Sequence, residues 1–252
     1  MANHEFGTAG VAAPTGLVRE QYEMLPYPPR QPDHDRSAFT IAVSFDLPTL
    51  SARLFGGRLL QRHSAGSGRP LRIMVAGCGT GDMLITILRS LHVWRDSLPR
   101  VEVVALDLSS ASLEVSRARV ENHLVNGVGN SVELRFVRGS LLDIESFGLG
   151  QFDLIECAGV LHHLPDPTAG MAALRAVLKD DGAMVLMVYA THGRRGIYLT
   201  QLMSRLLANA TQVPLMSAES LSTVRQLLDH GLHKYHPTPL GFGSEAHDSD
   251  AV

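Results

Sequence analysis

The sequence predicts a doubly wound α/β fold built on a mostly parallel sheet. Four short runs are apolar almost throughout, as strands covered on both faces should be; they lie at 71–76, 101–106, 152–158 and 183–189. Segments with helical apolar spacing separate them, at 82–92, 111–124 and 168–179. This alternation of strand and helix predicts right-handed crossovers and helices on both faces of the sheet.

The segments on either side of this alternation have other patterns. Residues 132–136 alternate strictly between apolar and polar, which is typical of an edge strand with one solvated face. Further helices are predicted at 47–61, 197–208 and 217–229. The chain therefore divides into a leader, arm and helix at 1–69, a core at 70–190, and a helical extension with a tail at 191–252.

Composition excludes several classes of protein. The 252 residues include 22 Lys and Arg against 25 Asp and Glu, a near-neutral balance that argues against nucleic acid as an electrostatically captured partner. No window approaches the roughly 20 apolar residues that span a bilayer, and the opening residues lack a signal-peptide pattern. We therefore expect a cytoplasmic protein without a membrane partner. Cys78 and Cys157 form no CxxC pair, so both are predicted to be reduced, buried thiols.

The first predicted strand leads into a glycine-rich turn where ligands of open α/β sheets bind. Glycine allows a tight turn and close approach of a ligand, although such turns also contain glycine for steric reasons alone. A P-loop would need a lysine and a hydroxyl that are missing here, and Asp82, which opens the next helix, would repel a pyrophosphate. The turn reads Gly77-Cys78-Gly79-Thr80-Gly81, and it is compatible with a phosphate-free ligand.

An aspartate ends the second run of the predicted sheet. The carboxylate of Asp107 could accept both ribose hydroxyls of an adenosine at this position. Standing alone, Asp107 could equally cap a helix or lie in a solvated turn. The two turns together favour a nucleoside ligand.

These turns and a third segment resemble the class I S-adenosylmethionine-dependent methyltransferases. The third segment is Phe152-Asp153-Leu154-Ile155-Glu156-Cys157-Ala158-Gly159-Val160-Leu161-His162-His163-Leu164, followed by Pro165-Asp166-Pro167. The resemblance covers residues 71–189. It implies a Rossmann-like methyltransferase fold, S-adenosylmethionine as cofactor, and methyl transfer to a small-molecule or protein acceptor. A nicotinamide oxidoreductase is disfavoured by Asp82 and by the glycine spacing.

Members of this family usually add two further strands, which are not evident here. We therefore expect the sheet to lack the last one or two strands. The apolar edge at 184–188 would then be covered by the helices at 197–229 or by a second protomer in a homodimer. The alternative is a non-catalytic cofactor-binding or interaction domain with an incomplete fold.

The resemblance also implies the cofactor contacts. The turn at 77–81 would pass under the methionyl portion, Asp107 would hold the ribose, and Leu108 would pack on the adenine. The family often has an acidic residue after the third strand, which the backbone of Ser140 or Leu141 would replace. The carbonyls near Cys157 and Ala158 would face the methionyl ammonium. The predicted binding set is Gly77, Cys78, Gly79, Thr80, Gly81, Asp107, Leu108, Ser140, Leu141, Cys157 and Ala158.

The arm Tyr22-Glu23-x-x-Pro26-Tyr27-Pro28 is similar to the N-terminal arm of a bacterial subgroup of these enzymes. That resemblance suggests a lid over the cofactor, with aromatic rings near the sulfonium. A proline-rich strap packed on the sheet is the other interpretation. Residues 22–30 are predicted to be extended, because prolines are unfavourable inside a helix.

His162 and His163 are the candidate catalytic residues. Methyl transfer is an in-line displacement that first requires alignment, and a base is needed only where the acceptor must lose a proton. A histidine suits that role, although either ring could instead pack against a helix or orient the loop.

Other histidines and arginines give weaker predictions. Neighbouring histidines on an extended chain point apart, and His230, His233 and His236 spread around a helix, so no metal site is predicted. Arg194 and Arg195 could attract an anionic acceptor or lie in a solvated loop.

Overall fold

In this computed structural model, the described part of the chain forms one five-stranded parallel sheet with helices on both faces. The structure describes residues 15–32, 46–63, 68–93, 100–123, 132–190, 192–211, 222, 223 and 226. The strands are β1 (Leu71–Ala76), β2 (Val101–Asp107), β3 (Val132–Arg138), β4 (Phe152–Ala158) and β5 (Leu178–Met187). The helices are α1 (Thr15–Met24), α2 (Leu47–Phe55), α3 (Leu59–Arg62), α4 (Asp82–Val93), α5 (Ser110–His123), α6 (Pro167–Ala176) and α7 (Arg195–Thr211). Short 3₁₀ helices cover Leu141–Phe147 and Leu161–His163.

The chain divides into two compact units, Met1–Val188 and Tyr189–Val252. The first unit contains the sheet, in the order β3-β2-β1-β4-β5 with every neighbouring pair parallel. The strand order reverses between β1 and β4, and ligands of such sheets bind in the crevice beyond the carboxyl ends at this switch point. The predicted doubly wound fold is confirmed.

Two apolar layers, one on each face, hold the sheet between its helices. On one face, Ile73, Val75 and Leu154 pack with buried residues of α2, α4 and α5. On the other face, Met74 and Ile155 pack with α6 and the 3₁₀ helix at Leu141–Phe147. Because both faces are covered, the central strands are apolar almost throughout, as the sequence predicts.

The two edges of the sheet differ. β3 forms one edge, where Glu133 and Arg135 are exposed while Leu134 and Phe136 pack against the core, as the strict alternation predicts. β5 forms the other edge, and its last residue Met187 is exposed. The cover predicted for this edge stays a prediction.

Several element boundaries differ from the predicted ones. The helix predicted at 47–61 ends at Phe55, because Gly56 adopts a left-handed C-cap with φ 58°. β5 begins at Leu178, well before the apolar run, and therefore includes charged residues that the hydropathy pattern excluded. Tyr22–Met24, predicted to be extended, form the last turn of α1, and the prolines follow the end of that helix.

A charged cluster stabilises the start of β4. Asp153 accepts hydrogen bonds from the backbone N–H of Arg72 (2.9 Å) and from Nζ of Lys179 (2.7 Å), and Nε2 of His63 lies 3.4 Å from its carboxylate. Burial alone would raise the pKa of Asp153, but these partners lower it to about 2. Lys179 was predicted to lie in a helix, but it lies in β5, where its ammonium group bonds to Asp153 of the neighbouring strand β4.

The second unit is described through α7. This helix contains the predicted helical segment at 197–208. Of the helix predicted at 217–229, only residues 222, 223 and 226 are described, and they are helical; His230, His233 and His236 lie outside the described residues. None of the described helices combines the length and the apolar character needed to cross a membrane.

Candidate functional site

The glycine-rich turn after β1 is shaped by the packing of the chain itself. Gly77, Gly79 and Gly81 all have positive φ, at 77°, 51° and 103°. A Cβ on Gly77 would collide with the side chain of Val160, and one on Gly79 or Gly81 would lie 2.6 Å from Tyr27 O or Ser116 Oγ. The steric interpretation of these glycines therefore holds at all three positions.

The backbone N–H groups of this turn are all used within the chain. Those of Gly77 and Cys78 donate to Leu106 O (2.7 and 3.0 Å), that of Gly79 to Asp107 Oδ2 (2.7 Å), that of Thr80 to Tyr27 O (3.3 Å) and that of Gly81 to Cys78 O (2.9 Å). A phosphate-binding turn needs N–H groups directed at its anion. This turn offers none, which supports a ligand without phosphate.

Asp82 has a different role from the one expected. Its carboxylate is bonded to Nη2 of Arg30 (2.9 Å) and to Nη1 of the fully buried Arg119 (2.7 Å). Arg119 also donates to Thr80 O (2.7 Å). Two guanidinium groups neutralise Asp82, so the expectation that its charge would repel a pyrophosphate is wrong. Asp82 instead fixes the turn to α5 and to the N-terminal arm.

Asp107 lies at the end of β2, beside the turn. Its Oδ2 accepts from Gly79 N (2.7 Å) and its Oδ1 from Ser109 N (2.9 Å). Burial raises the pKa of Asp107 in spite of these backbone hydrogen bonds. A carboxylate has about four lone-pair sites, so this group retains capacity to accept hydrogen bonds from a ligand.

The segment after β3 lies next to Asp107, because Gly139 N donates to Asp107 O (2.9 Å). The hydroxyl of Ser140 accepts from Leu142 N (3.2 Å) and caps the 3₁₀ helix. The side chain of Leu141 is buried in the core, which leaves only its backbone for a ligand. Leu108 is half-buried directly after Asp107.

The segment after β4 carries the two candidate histidines on a 3₁₀ helix. The ring centroids of His162 and His163 lie 4.2 Å apart, and Tyr22 meets His163 edge-on at 6.4 Å. Ala158 is half-buried at the end of the strand. Cys157 is buried, and burial raises the pKa of its thiol to about 12. Cys78 is also buried with a raised pKa, so both thiols are unreactive at neutral pH.

The N-terminal arm lies on the loops at the carboxyl edge of the sheet. Besides the Tyr22 ring contact, Tyr22 O accepts from Ser109 Oγ (3.1 Å), and Pro28 O accepts from Thr80 Oγ1 (2.8 Å). Glu23 accepts from the backbone N–H groups that begin α5. The arm therefore contacts the loops that follow β1, β2 and β4.

Three residues of this region were not singled out from the sequence. Arg30 and Arg119 carry no local pattern, since their role depends on a carboxylate in another element. Glu156 did have a signal, because it is a charged residue in the middle of an apolar strand. It is buried in β4, opposite Val75 of β1.

Arg194 belongs to the second unit, where its guanidinium lies 3.4 Å from the centroid of the Tyr189 ring. Its predicted role toward an anionic acceptor, like that of Arg195, stays a prediction. In the described ranges, no group of three or more His, Cys, Asp or Glu side chains is arranged to hold a metal ion.

The carboxyl edge of the sheet offers hydrogen-bond acceptors rather than donors. The turn has used all its N–H donors, while the carboxyl groups of Asp107 and Glu156 lie on the strands on either side of β1. Ribose hydroxyls and an ammonium group are donors, and a pyrophosphate is an acceptor. The residues present therefore fit a nucleoside with a cationic tail.

Residues 74–184 match a protein-family model described as a methyltransferase domain. Over 183 residues the chain is 34% identical to an uncharacterized protein of Synechococcus sp., covering 73% of this chain and 39% of that protein. It is 29% identical to a ubiquinone biosynthesis O-methyltransferase of Xanthomonas oryzae pv. oryzae, covering 46% of this chain and 41% of that enzyme. The chain thus spans about two fifths of the length of these curated relatives.

A solved structure of an arsenic(III) S-adenosylmethionine methyltransferase from Chlamydomonas reinhardtii aligns with a TM-score of 0.38 and 22% identity. The alignment covers 46% of this chain and 38% of that one.

Proposed function

We propose that this chain, whose residues 74–184 match the family model of a methyltransferase domain, transfers a methyl group from S-adenosylmethionine to a small-molecule or protein acceptor. S-adenosylmethionine is the cofactor of this domain class, and when bound it supplies a methyl group on an electrophilic sulfonium. One observation carries the proposal. The carboxyl edge of the sheet combines a turn without free N–H donors with the half-buried carboxyl group of Asp107 and the buried one of Glu156, which suits a phosphate-free, donor-rich ligand.

We assign the cofactor-binding residues as the family resemblance implies. Asp107 accepts the ribose hydroxyls, with Leu108 and the backbone at Ser140 and Leu141 around the adenine. The methionyl portion runs along Gly77, Cys78, Gly79, Thr80 and Gly81 toward the ends of Cys157 and Ala158. The contact between Asp107 and Gly79 supports this assignment, since it joins the ends of β2 and β1 in one site.

The catalytic assignment rests on the loop after β4. This chain holds the acceptor near His162 and His163, and one of these rings takes the proton from an acceptor hydroxyl or amine. The ring contact of His163 with Tyr22 supports this role, because it brings the histidine under the arm at the switch point.

The N-terminal arm acts as a lid, and the chain belongs to the bacterial subgroup that carries the Tyr22-Glu23-x-x-Pro26-Tyr27-Pro28 arm. Contacts of the arm with the loops after β1, β2 and β4 support this interpretation over that of a strap packed on the sheet. In this scheme residues 1–69 hold the lid, 70–190 bind the cofactor, and 191–252 form an extension.

Calorimetric titration with S-adenosylmethionine, S-adenosylhomocysteine and NAD tests the proposal. We expect tight binding of the first two and none of NAD. A methyl-transfer assay then separates an enzyme from a non-catalytic binding domain, and hydroxyl acceptors come first because one relative is an O-methyltransferase. Binding of NAD in place of S-adenosylhomocysteine would overturn the proposal.

A further inference from the structure

Glu156 is a buried carboxyl group that the contacts described so far leave without a role. It is 1% exposed, and its Oε1 has no hydrogen-bond partner among the described residues. It lies in β4, in register with Val75 of β1 and Val185 of β5, so it faces apolar neighbours on both sides. β1 and β4 are the two strands between which the strand order reverses.

Glu156 lies near the carboxyl end of β4, two residues before the last residue of that strand, in register with Val75 two residues before Gly77. The backbone N–H of Ala158, the last residue of β4, favours the charged form of this carboxyl group and so lowers its pKa. Burial raises the pKa of the Cys78 thiol in the glycine-rich turn, and the negative charges of Asp107 and Glu156 raise it further. The two carboxyl groups therefore lie on the strands that flank β1, Asp107 on β2 and Glu156 on β4.

An ionised carboxylate in such a place needs a cation. Burial raises the pKa of Glu156 to about 8, and only the Ala158 N–H opposes this shift. The groups facing it are Val75 from β1, Val185 from β5, apolar residues of α4, and the Cys78 thiol from the turn, with the Cys157 thiol beside it in the strand. Among the described residues none of these neighbours is a cation, which leaves this place open to a positive group supplied by a ligand.

We propose that Glu156 binds the methionyl ammonium group of the cofactor as its anionic partner. This inference rests on the proposed function, in which the ribose lies at Asp107 and the cofactor extends across β1 toward β4. The ammonium end of such a ligand reaches the strand that carries Glu156. A carboxylate–ammonium pair at a buried site is a strong, charge-assisted contact, and it removes the isolated charge.

Proton release follows from this pairing. Near pH 7 the free protein holds a proton on the buried Glu156 carboxyl, and that proton passes to the buffer when the ammonium group arrives. The pKa of Glu156 is lower in the complex than in the free protein, so affinity increases as the pH rises from 6 toward 8. A ligand that has the nucleoside but no amino acid portion causes no such release.

Calorimetry of the full chain with two probes, S-adenosylhomocysteine and 5′-methylthioadenosine, tests this inference. The second probe has the nucleoside and the thioether but no ammonium group. Titration in two buffers with different ionisation enthalpies measures the protons released. We expect the wild type to release close to one proton at pH 7 with S-adenosylhomocysteine and none with 5′-methylthioadenosine.

Glu156→Gln keeps the shape of the side chain and removes its charge. We expect this variant to bind S-adenosylhomocysteine at least tenfold more weakly, to lose the proton release, and to bind 5′-methylthioadenosine as the wild type does. Glu133→Gln, on the exposed face of β3, is the matched control and should change neither affinity. S-adenosylmethionine should lose as much affinity as S-adenosylhomocysteine, because both carry the ammonium group.

The outcomes separate the two proposals. Unchanged S-adenosylhomocysteine affinity in Glu156→Gln, or an equal loss for both probes, would overturn the role of Glu156 and leave the proposed function standing. If Glu156→Gln does not fold, equal proton release by the wild type with both probes overturns it. Failure of the wild type to bind either probe contradicts the proposed function itself.

Discussion

Glu23 accepts a hydrogen bond of 2.9 Å from the backbone N–H of Ser110, the first residue of α5, across 87 positions of sequence. The same carboxylate accepts from Ser110 Oγ (2.9 Å) and from Ala111 N (3.1 Å). The first N–H groups of a helix have no partner inside it, and here the N-terminal arm supplies one. An acidic group at this position also interacts favourably with the helix dipole. Glu23 therefore fastens the arm to the helix that follows Asp107.

Replacement of Glu23 by Ala should release the arm. Residues Met24, Leu25 and Tyr27 are exposed within it and are suitable sites for chymotrypsin. We expect Glu23→Ala to be cleaved there several-fold faster than the wild type in a limited-proteolysis time course. Glu20→Ala changes an exposed residue one turn earlier in α1 and should leave the cleavage rate unaltered.

Acid should have the same effect as this substitution. Hydrogen bonds from Ser110 and Ala111 lower the pKa of Glu23. Because the pKa of Glu23 is lower when the arm is docked, its carboxylate stabilises docking at pH values above the ordinary pKa of the group. This stabilisation is lost as the pH falls through the lowered pKa. Equal cleavage of the arm in wild type and Glu23→Ala at neutral pH would contradict this attachment.

Gly79→Ala should displace the arm by a steric effect. A Cβ at this position would lie 2.6 Å from Tyr27 O, and φ is 51°. Gly148 has a similar φ of 59° with open space around it, so Gly148→Ala measures the conformational cost alone, about 1 kcal/mol. We expect Gly79→Ala to lose more unfolding free energy than Gly148→Ala in urea titrations and to expose the arm to chymotrypsin. Equal losses, with the arm protected in both variants, would mean that the arm does not rest on Gly79.

Asp153→Asn should destabilise the sheet at neutral pH. The pKa of Asp153 is lowered from its ordinary value of 3.8 to about 2, which corresponds to a stabilisation of about 2 kcal/mol. Because the pKa is lower in the folded state, this contribution is complete above about pH 4 and is lost as the pH falls toward 2. Urea unfolding at pH 7 and pH 3 should show a large loss in the variant at pH 7 and a smaller one at pH 3.

The exposed Asp180 provides the control for this measurement. It lies on β5 and pairs with Arg175 at 3.4 Å, fully open to solvent. Asp180→Asn should change the unfolding free energy little at either pH, since exposed ion pairs contribute little. A loss at pH 3 as large as that at pH 7 in Asp153→Asn would argue against a lowered pKa.

The candidate base can be tested separately from cofactor binding. His162→Ala and His163→Ala should lower the turnover number of methyl transfer, with at least a tenfold loss in the variant that removes the base, since general bases contribute about 10²-fold or more. The affinity for S-adenosylhomocysteine should change little. His92→Ala, in the last turn of α4 and away from the carboxyl edge, is the control. Normal turnover in both His162→Ala and His163→Ala would exclude the base.

Local patterns predicted the strands and the turn after β1 because both depend on neighbouring residues. The apolar runs gave the limits of β1 and β4 correctly, since both strands are covered on both faces. The start of β5 was wrong, because Lys179 enters the sheet through a contact with Asp153 that its own segment does not reveal. The start of β5 is therefore determined by its pairing with β4 and not by the hydropathy of its own residues.

The features of the candidate site that were not predicted depend on contacts between segments that are distant in the sequence. Arg119 and Asp82 are 37 positions apart, and nothing near either residue identifies the other. The motif predicted the arm, but the sequence does not show that the arm bonds to Thr80 and Ser109, because these residues approach it only in the folded chain. Glu156 is recognisable in the sequence as a charged residue in an apolar run, whereas the lack of a hydrogen-bond partner for its Oε1 among the described residues appears only in the folded sheet.

The central claim is that Asp107 holds the ribose of an adenosine cofactor at the end of β2. The most direct test is the affinity for S-adenosylhomocysteine and for its 2′-deoxy analogue in wild type, Asp107→Ala and the exposed control Asp181→Ala. We predict that Asp107→Ala binds S-adenosylhomocysteine at least tenfold more weakly, since hydrogen bonds to a charged group contribute about 1.5–3 kcal/mol each. The 2′-deoxy analogue should bind more weakly than its parent in the wild type and equally in Asp107→Ala. If Asp107→Ala and the wild type discriminate the two ligands to the same extent, the ribose does not lie at Asp107.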